Sequence, residues 1–451
     1  MRAVVWRRAA AVALGSLGAS LAAACARTAP ASRPGPAPLP ALSLRDFGRF
    51  VDTMVTAPAF RNANWGILIV DPAASDTLYS RNAGKLFMPA SNQKLLTGAT
   101  ALAQLGASYR FTTRFASTGP MDSVMRGDLV VFGTGDPTFS DTLQGGDYRN
   151  AFRAMADSIA TRGIRRIAGA LVRGGPAFTD AQCGYGWELD DLDEPYAACV
   201  DELFVNEGYQ RVRRVRRNGD SATVAAAIRD PRGAFFSALS EALAERGIAV
   251  AGGTDTLRVV ADSGLAPVFT LRSVELPAIL ARMLKPSQNQ VAELLFKTLG
   301  RERTGVGTAD SARRVVERQL VAWGADTAGF AVRDGSGMSR HDYVTPETII
   351  RVLDEMRRAP TFPLWYAAMP VAGVDGTLEN RMRGTAAAGN VRAKTGTVDK
   401  ARSLSGYVTA ADGRMLEFSF LCNNFTVPNR EVERVQDAIL ATIAARARPR
   451  R

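Results

Sequence analysis

Ser91 and Lys94, in the stretch PASNQKLLTGAT (Pro89 to Thr100), stand three residues apart where an apolar helical pattern begins. On a helix their side chains leave one face within hydrogen-bond reach. A serine hydroxyl is a weak nucleophile and needs a base beside it. A lysine that has lost its proton can be that base, whereas an arginine cannot. Lys85, Lys94, Lys285, Lys297, Lys394 and Lys400 are the only lysines among 56 basic residues, so each stands out against an arginine background. Ser91 would also lie next to the backbone N–H groups and positive dipole end of its helix, useful for an oxyanion. The plainer reading makes Ser91 an N-cap and Lys94 a surface residue. A Ser-His-Asp triad would have to use His341, the one histidine, and its polar turn GSGMSRHDYVTP reads as an exposed loop. No two cysteines have zinc-ligand spacing. The sequence points to neither metal nor cofactor.

Two further motifs carry weight beside S-x-x-K. KPSQNQ supplies Ser287-Gln288-Asn289 between two helical patterns, and AKTGT supplies Lys394-Thr395-Gly396 on a strand pattern. The order S-x-x-K, S-x-N, K-T-G is that of penicillin-recognising serine enzymes, and each motif lies in the element it requires: helix start, inter-helix turn, strand. With these motifs the chain resembles the serine DD-peptidases, specifically the low-molecular-mass class C penicillin-binding proteins with D-alanyl-D-alanine carboxypeptidase/endopeptidase activity. The resemblance runs through nearly everything after residue 45, including FMPASNQKLLT, GTGDPTFS, GWELDDLDEPY, KPSQNQVAELLFKTLG, RDGSGMSRHDYVTP, MPVAGVDGTLENRM and VRAKTGTVDKARSLSGYV. It departs at Gln288, where the family often has aspartate.

The resemblance implies an α/β, DD-peptidase/β-lactamase-like (transpeptidase-like) fold with a long, mainly β insert forming one or two extra domains. It also implies roles. Ser91 attacks the penultimate D-alanine carbonyl of a peptidoglycan stem peptide, Lys94 takes the hydroxyl proton, and Ser287 relays it to the leaving amine. Burial and the nearby charge of Lys394 would keep Lys94 neutral. Asn289 would hold the substrate's backbone amide. The N–H groups of Ser91 and Thr397 would form the oxyanion hole. The Thr395 and Thr397 hydroxyls, on the strand of Lys394 and Gly396, would take the terminal carboxylate, and Met338 and Arg340 would border the stem peptide. β-Lactam antibiotics mimic that substrate and should acylate Ser91. Two alternatives use the same trio: a β-lactamase, and a penicillin-binding sensor module that acylates without turnover. Against the first, no E-x-x-L-N segment lies between Asn289 and Lys394. GTGDPT (Gly133 to Thr138) and GVDGT (Gly373 to Thr377) read as structural turns, and the region of Phe178, Asp180 and Trp187 as an ordinary loop.

The elements that must position these residues are legible in outline. NWGILIVDPAASDTLYS reads as two strands joined by a turn, and Leu95, Leu96, Ala99, Leu102 and Leu105 follow at helical spacing. From about Arg110 to Pro267 short alternating strands are broken by Gly, Asp and Pro. Helices LPAILARMLK and AELLFKTLG follow, then an amphipathic helix from Thr308 to Trp323. NVRAKTGT, RSLSGYVTA and RMLEFSFLC return to strands, and a helix from Glu431 to Ala445 closes the chain. This gives a discontinuous catalytic domain, residues 45–110 and 270–447, around an insert at 111–269.

A formal charge of +12 and pI near 9.9 would suit an anionic partner. The arginines are spread along the whole length without interleaved aromatics, so nucleic acid is excluded as the expected partner. Met1 to Arg8 is a basic n-region, Ala9 to Ala24 a small-residue apolar run, and Ala22-Ala23-Ala24 an A-x-A cleavage site. Residues 1–24 thus read as a signal peptide and the protein as exported, to the periplasm or cell envelope. Cys25 would then come first, as in a lipoprotein, although Ala22 replaces the usual leucine. The Pro/Ala-rich segment 25–44 reads as a tether. Lipid anchoring at Cys25 and simple secretion both remain open. An oxidising compartment permits Cys183 and Cys199, 16 residues apart, to pair, which would be worth about 3 kcal/mol. Cys422 reads as a buried hydrophobe.

Overall fold

The computed structural model describes residues 39–215 and 220–449. The signal peptide, Cys25 and the tether as far as residue 38 lie outside the described residues.

An antiparallel sheet joins the two ends of the catalytic domain. Its strand order is Arg392–Val398, Ala401–Thr409, Met415–Asn423, Asn64–Asp71, Asp76–Arg81, so the C-terminal strands complete a sheet begun by the N-terminal hairpin. Strand 64–71 pairs with 415–423 in continuous register from Asn64↔Asn423 to Val70↔Glu417. These strands are apolar on both sides because both faces are covered. One face buries Ile67, Ile69, Phe418 and Phe420 against helices Leu44–Val55 and Asn429–Ala445. Cys422 is fully buried there. The sequence pattern did not announce the 44–55 helix. Ser43 caps it, its Oγ accepting from the Asp46 amide at 3.0 Å, and the Leu39 amide donates to the Ala445 carbonyl at 3.1 Å.

The other face carries the helical layer, whose central member is helix Gln93–Leu105. Leu95, Leu96 and Ala99 are wholly buried, among Ile279, Leu280, Met283, Leu295 and Trp365. Close packing explains Gly98, where a Cβ would come within 2.8 Å of Met283 Cε. Helices Leu276–Leu284 and Asn289–Thr304 flank it, and the turn between them carries Ser287. Helix Ala309–Ala322 starts at a capping box of Thr308 and Ser311.

The insert has its own core. A five-stranded mixed sheet runs Thr254–Val260, Leu171–Gly174, Leu129–Phe132, Thr112–Ser117, Ala266–Arg272. Helices Arg149–Ala160 and Pro231–Glu245 bury Phe152, Phe235 and Leu239 against Phe115 and Leu171. Neither helix was announced by the strand pattern. The second does bury Phe235, Leu239, Ala242 and Leu243 at helical spacing, but Ala234 and Ala244 off that stripe blunt the contrast; its start signal is Asp230-Pro231, with Asp230 Oδ1 accepting from the Gly233 amide at 2.9 Å. Between the strands at 171–174 and 209–215, the chain leaves this core and returns to the catalytic domain as a looped segment closed by a Cys183–Cys199 disulfide.

Candidate active site

The site lies where the helix start at residue 91 meets the 392–398 strand. A single turn of 3-10 helix, Ala90–Asn92, precedes the α-helix, and Ala90 takes a left-handed φ of 48°. This tight entry is held from three sides. Asn92 Nδ2 donates to the Lys394 carbonyl at 2.8 Å, and Ser403 Oγ donates to the Pro89 carbonyl at 2.7 Å. At Gly396 the strand passes so close that a Cβ would fall 3.0 Å from the Ser91 nitrogen and 2.7 Å from the Pro89 oxygen. Glycine in the K-T-G position is therefore a steric requirement of seating Ser91 on the strand.

Lys94 is fully buried. Its Nζ lies 2.9 Å from Ser91 Oγ, 2.6 Å from Asn289 Oδ1 and 2.8 Å from the Ser336 carbonyl oxygen. Two of these three partners can only accept. In the neutral amine the two N–H bonds go to Asn289 and Ser336, and the lone pair is left facing the Ser91 hydroxyl, which then donates to it. Burial pushes the Lys94 ammonium down from 10.5 to about 7, against the carboxylates of Asp334, Glu293 and Asp342, which favour the charge.

Of the two causes expected for a neutral Lys94, burial and the charge of Lys394, burial is the larger. Desolvation is the largest cause for both lysines, and the repulsion between them adds to it, so that Lys394 too is held well below the usual lysine range by burial and then by Lys94. Lys394 is wholly buried, and its Nζ donates to Ser287 Oγ at 2.7 Å and to the Thr395 carbonyl at 2.8 Å. Ser287 itself sits at a left-handed φ of 65° in the inter-helix turn. Asn289 departs from the simplest expectation too. Its Oδ1 serves Lys94, and its Nδ2 donates to the Tyr196 carbonyl at 2.8 Å, so the amide bridges the catalytic lysine and the insert.

A cleft of about 540 Å³ opens over Ser91, Ser287, Asn289, Thr395, Gly396 and Thr397. Met338 and Arg340 line its rim, and Arg340 Nη1 donates to the Asp399 carbonyl at 2.7 Å. Exposed His341 is not among the lining residues. Thr377 is, and it accepts a 2.7 Å hydrogen bond from Thr395 Oγ1. The GVDGT turn therefore borders the cleft, which its sequence did not signal.

The looped segment does as well, through Glu188, Asp191 and Tyr196. Trp187 Nε1 donates to Asp334 Oδ2 at 2.9 Å. Buried Asp334 in turn accepts from the Ser336, Gly337 and Ser339 amides, shaping the loop whose carbonyl meets Lys94. Beneath it Glu293 Oε1 accepts from the Gly335 and Ser336 amides, and burial, with Asp334 alongside, raises its carboxyl to about 8.

A nucleophilic hydroxyl beside a buried neutral amine, with backbone N–H groups and a second lysine–serine pair across the cleft, suits acyl transfer. Comparison with known proteins agrees. Residues 49–231 and 215–446 match the D-Ala-D-Ala carboxypeptidase 3 (S13) family. A D-alanyl-D-alanine carboxypeptidase from an Actinomadura species is 34% identical over 87% of this chain and 84% of its own length. Carboxypeptidase DacB of Mycolicibacterium smegmatis is 29% identical, covering 82% and 79%. Among solved structures, penicillin binding protein 4 (dacB) from Haemophilus influenzae superposes with a TM-score of 0.74 over 88% of this chain and 98% of its own, at 21% identity, a likeness of fold.

Proposed function

Since this chain belongs to the D-Ala-D-Ala carboxypeptidase 3 (S13) family, we propose that it is a serine-type D-Ala-D-Ala carboxypeptidase/endopeptidase acting on peptidoglycan stem peptides and acylated by β-lactams. The observation that carries this reading is the contact of buried Lys94 Nζ with Ser91 Oγ at 2.9 Å.

The neutral amine of Lys94 takes the hydroxyl proton as Ser91 Oγ bonds to the carbonyl carbon of the penultimate D-alanine. The negative charge that develops on the carbonyl oxygen is met by the N–H groups of Ser91 and Thr397. As the C–N bond breaks, the proton passes from Lys94 through Ser287 to the leaving amine, and an ester to Ser91 remains. Water then attacks that ester, Lys94 again accepting a proton, and Ser91 is regenerated. The Thr395 and Thr397 hydroxyls, which line the cleft, take the terminal carboxylate. A β-lactam follows the same first step, but its leaving nitrogen stays tethered, which slows the second.

The basic, apolar and A-x-A segments at the start of the chain and the Cys183–Cys199 bond support export to the periplasm or cell envelope, with Cys25 available for a lipid anchor. Incubation with a stem pentapeptide ending in D-Ala-D-Ala tests the activity. One free D-alanine per peptide is expected from the native protein and none from Ser91→Ala; equal release by both would refute the reading.

A further inference from the structure

Gln290 follows the S-x-N motif directly, and nothing in the chemistry above uses it. Its side chain is fully buried. Its Nε2 donates to the Pro195 carbonyl at 3.1 Å and to the Ala198 carbonyl at 3.2 Å. These two carbonyls bracket Tyr196, whose own carbonyl accepts from Asn289 Nδ2 at 2.8 Å. The segment they belong to is closed by the Cys183–Cys199 bond. Gln290 Oε1, by contrast, is buried without a partner. An unpaired buried acceptor is costly, so the residue is not explained as comfortable packing. Its two donor bonds are what it contributes.

From this geometry we infer that Gln290 and the disulfide-closed segment 183–199 are positioning elements for acylation, fixing which way round the Asn289 amide points. The inference rests on the serine-peptidase reading. A primary amide presents an acceptor on one side and donors on the other. A carbonyl at Tyr196 accepts only, so it holds Nδ2 on its own side and turns Oδ1 toward Lys94, 2.6 Å away. If the amide flipped, Nδ2 would face Lys94. Its N–H would oppose the ammonium and, in the neutral amine, would donate into the lone pair that must receive the proton of Ser91. The insert thus acts on the base through one carbonyl, and that carbonyl is held by Gln290 on one side and the disulfide on the other.

The test uses the purified full chain, with the rate of acylation by fluorescent penicillin followed from pH 5 to 9. Two variants approach the same carbonyl differently: Gln290→Met, which keeps length and burial, and Cys183→Ser/Cys199→Ser, which leaves the 289–304 helix untouched. Active sites are counted by burst labelling, so that rates refer to folded protein only. Both variants should lose about tenfold in limiting acylation rate, and the inflection of the pH profile should move to lower pH, because a donor facing Lys94 disfavours its ammonium. A purely structural role would reduce the count of active sites and leave the inflection in place. Native limiting rate and native inflection in either folded variant would overturn the inference. If wild-type protein took no label at all, the serine-peptidase reading would fall and the inference with it, a different and distinguishable result.

Discussion

Replacing Lys94 by arginine separates a base from a charge. Lys94 sits in full burial with its ammonium pushed down to about 7. Its neutral fraction is then about one half at pH 7, about a tenth at pH 6 and about a hundredth at pH 5. Acylation that needs the neutral amine should follow that fraction: near its plateau at pH 9, and falling about tenfold per pH unit below pH 6. The direction follows from the sign of the shift, since acid restores the proton that burial removes. Arginine remains charged across the whole range. Lys94→Arg should therefore lose the general-base contribution, about 10²–10⁴-fold in acylation rate on the alkaline plateau, and its residual rate should not follow the native pH profile. Stopped-flow mixing with a chromogenic or fluorescent β-lactam, normalised to folded protein, measures both predictions. A flat native profile between pH 5 and 8, or near-native acylation by the arginine variant, would refute the reasoning and return Lys94 to a structural role.

Gly396→Ala should cost about 1–3 kcal/mol in stability through overpacking. Its Cβ would fall 2.0 Å from Ser403 Oγ and 3.0 Å from the Ser91 nitrogen, so a loss of roughly ten- to a hundredfold in acylation is also expected from displacing the nucleophile; a native acylation rate would contradict the seating argument. Trp187→Phe removes the 2.9 Å hydrogen bond to Asp334 Oδ2 and should lower stability by about 1–3 kcal/mol, since a buried acceptor loses a donor. Urea denaturation reads this, and an unchanged midpoint would show that the loop holds without the insert.

What the sequence disclosed, and what it hid, divides along a physical line. The three motifs were legible because each is a short spacing of side chains whose chemistry is written in their type. The lysine bias proved informative beyond the site. Lys297 Nζ is buried on Asp180 and the Ala181 carbonyl, and Lys285 Nζ donates to the Met369 carbonyl. With Lys94 and Lys394, four of the lysines thus place a compact ammonium or amine against backbone oxygens, while Lys85 and Lys400 are exposed. Backbone partners were not legible. The Tyr196 and Ser336 carbonyls that complete the environment of Lys94 have no side-chain signature, and their positions depend on contacts across nearly a hundred residues or more of sequence, about 93 in one case. Burial was expected beside the charge of Lys394 as a cause of Lys94's neutrality, but its weight was not legible, because it depends on the packing of the whole helical layer. The helix at Leu44–Val55 escaped because it follows directly on a Pro/Ala-rich segment read as tether.

The central claim is that Ser91 is the acylated nucleophile. Intact-protein and peptide mass spectrometry after incubation with benzylpenicillin tests it most directly. One adduct per chain should form, on the peptide containing Ser91, and it should be absent from a folded Ser91→Ala variant. An adduct on any other residue, or equal labelling of that variant, would contradict the account.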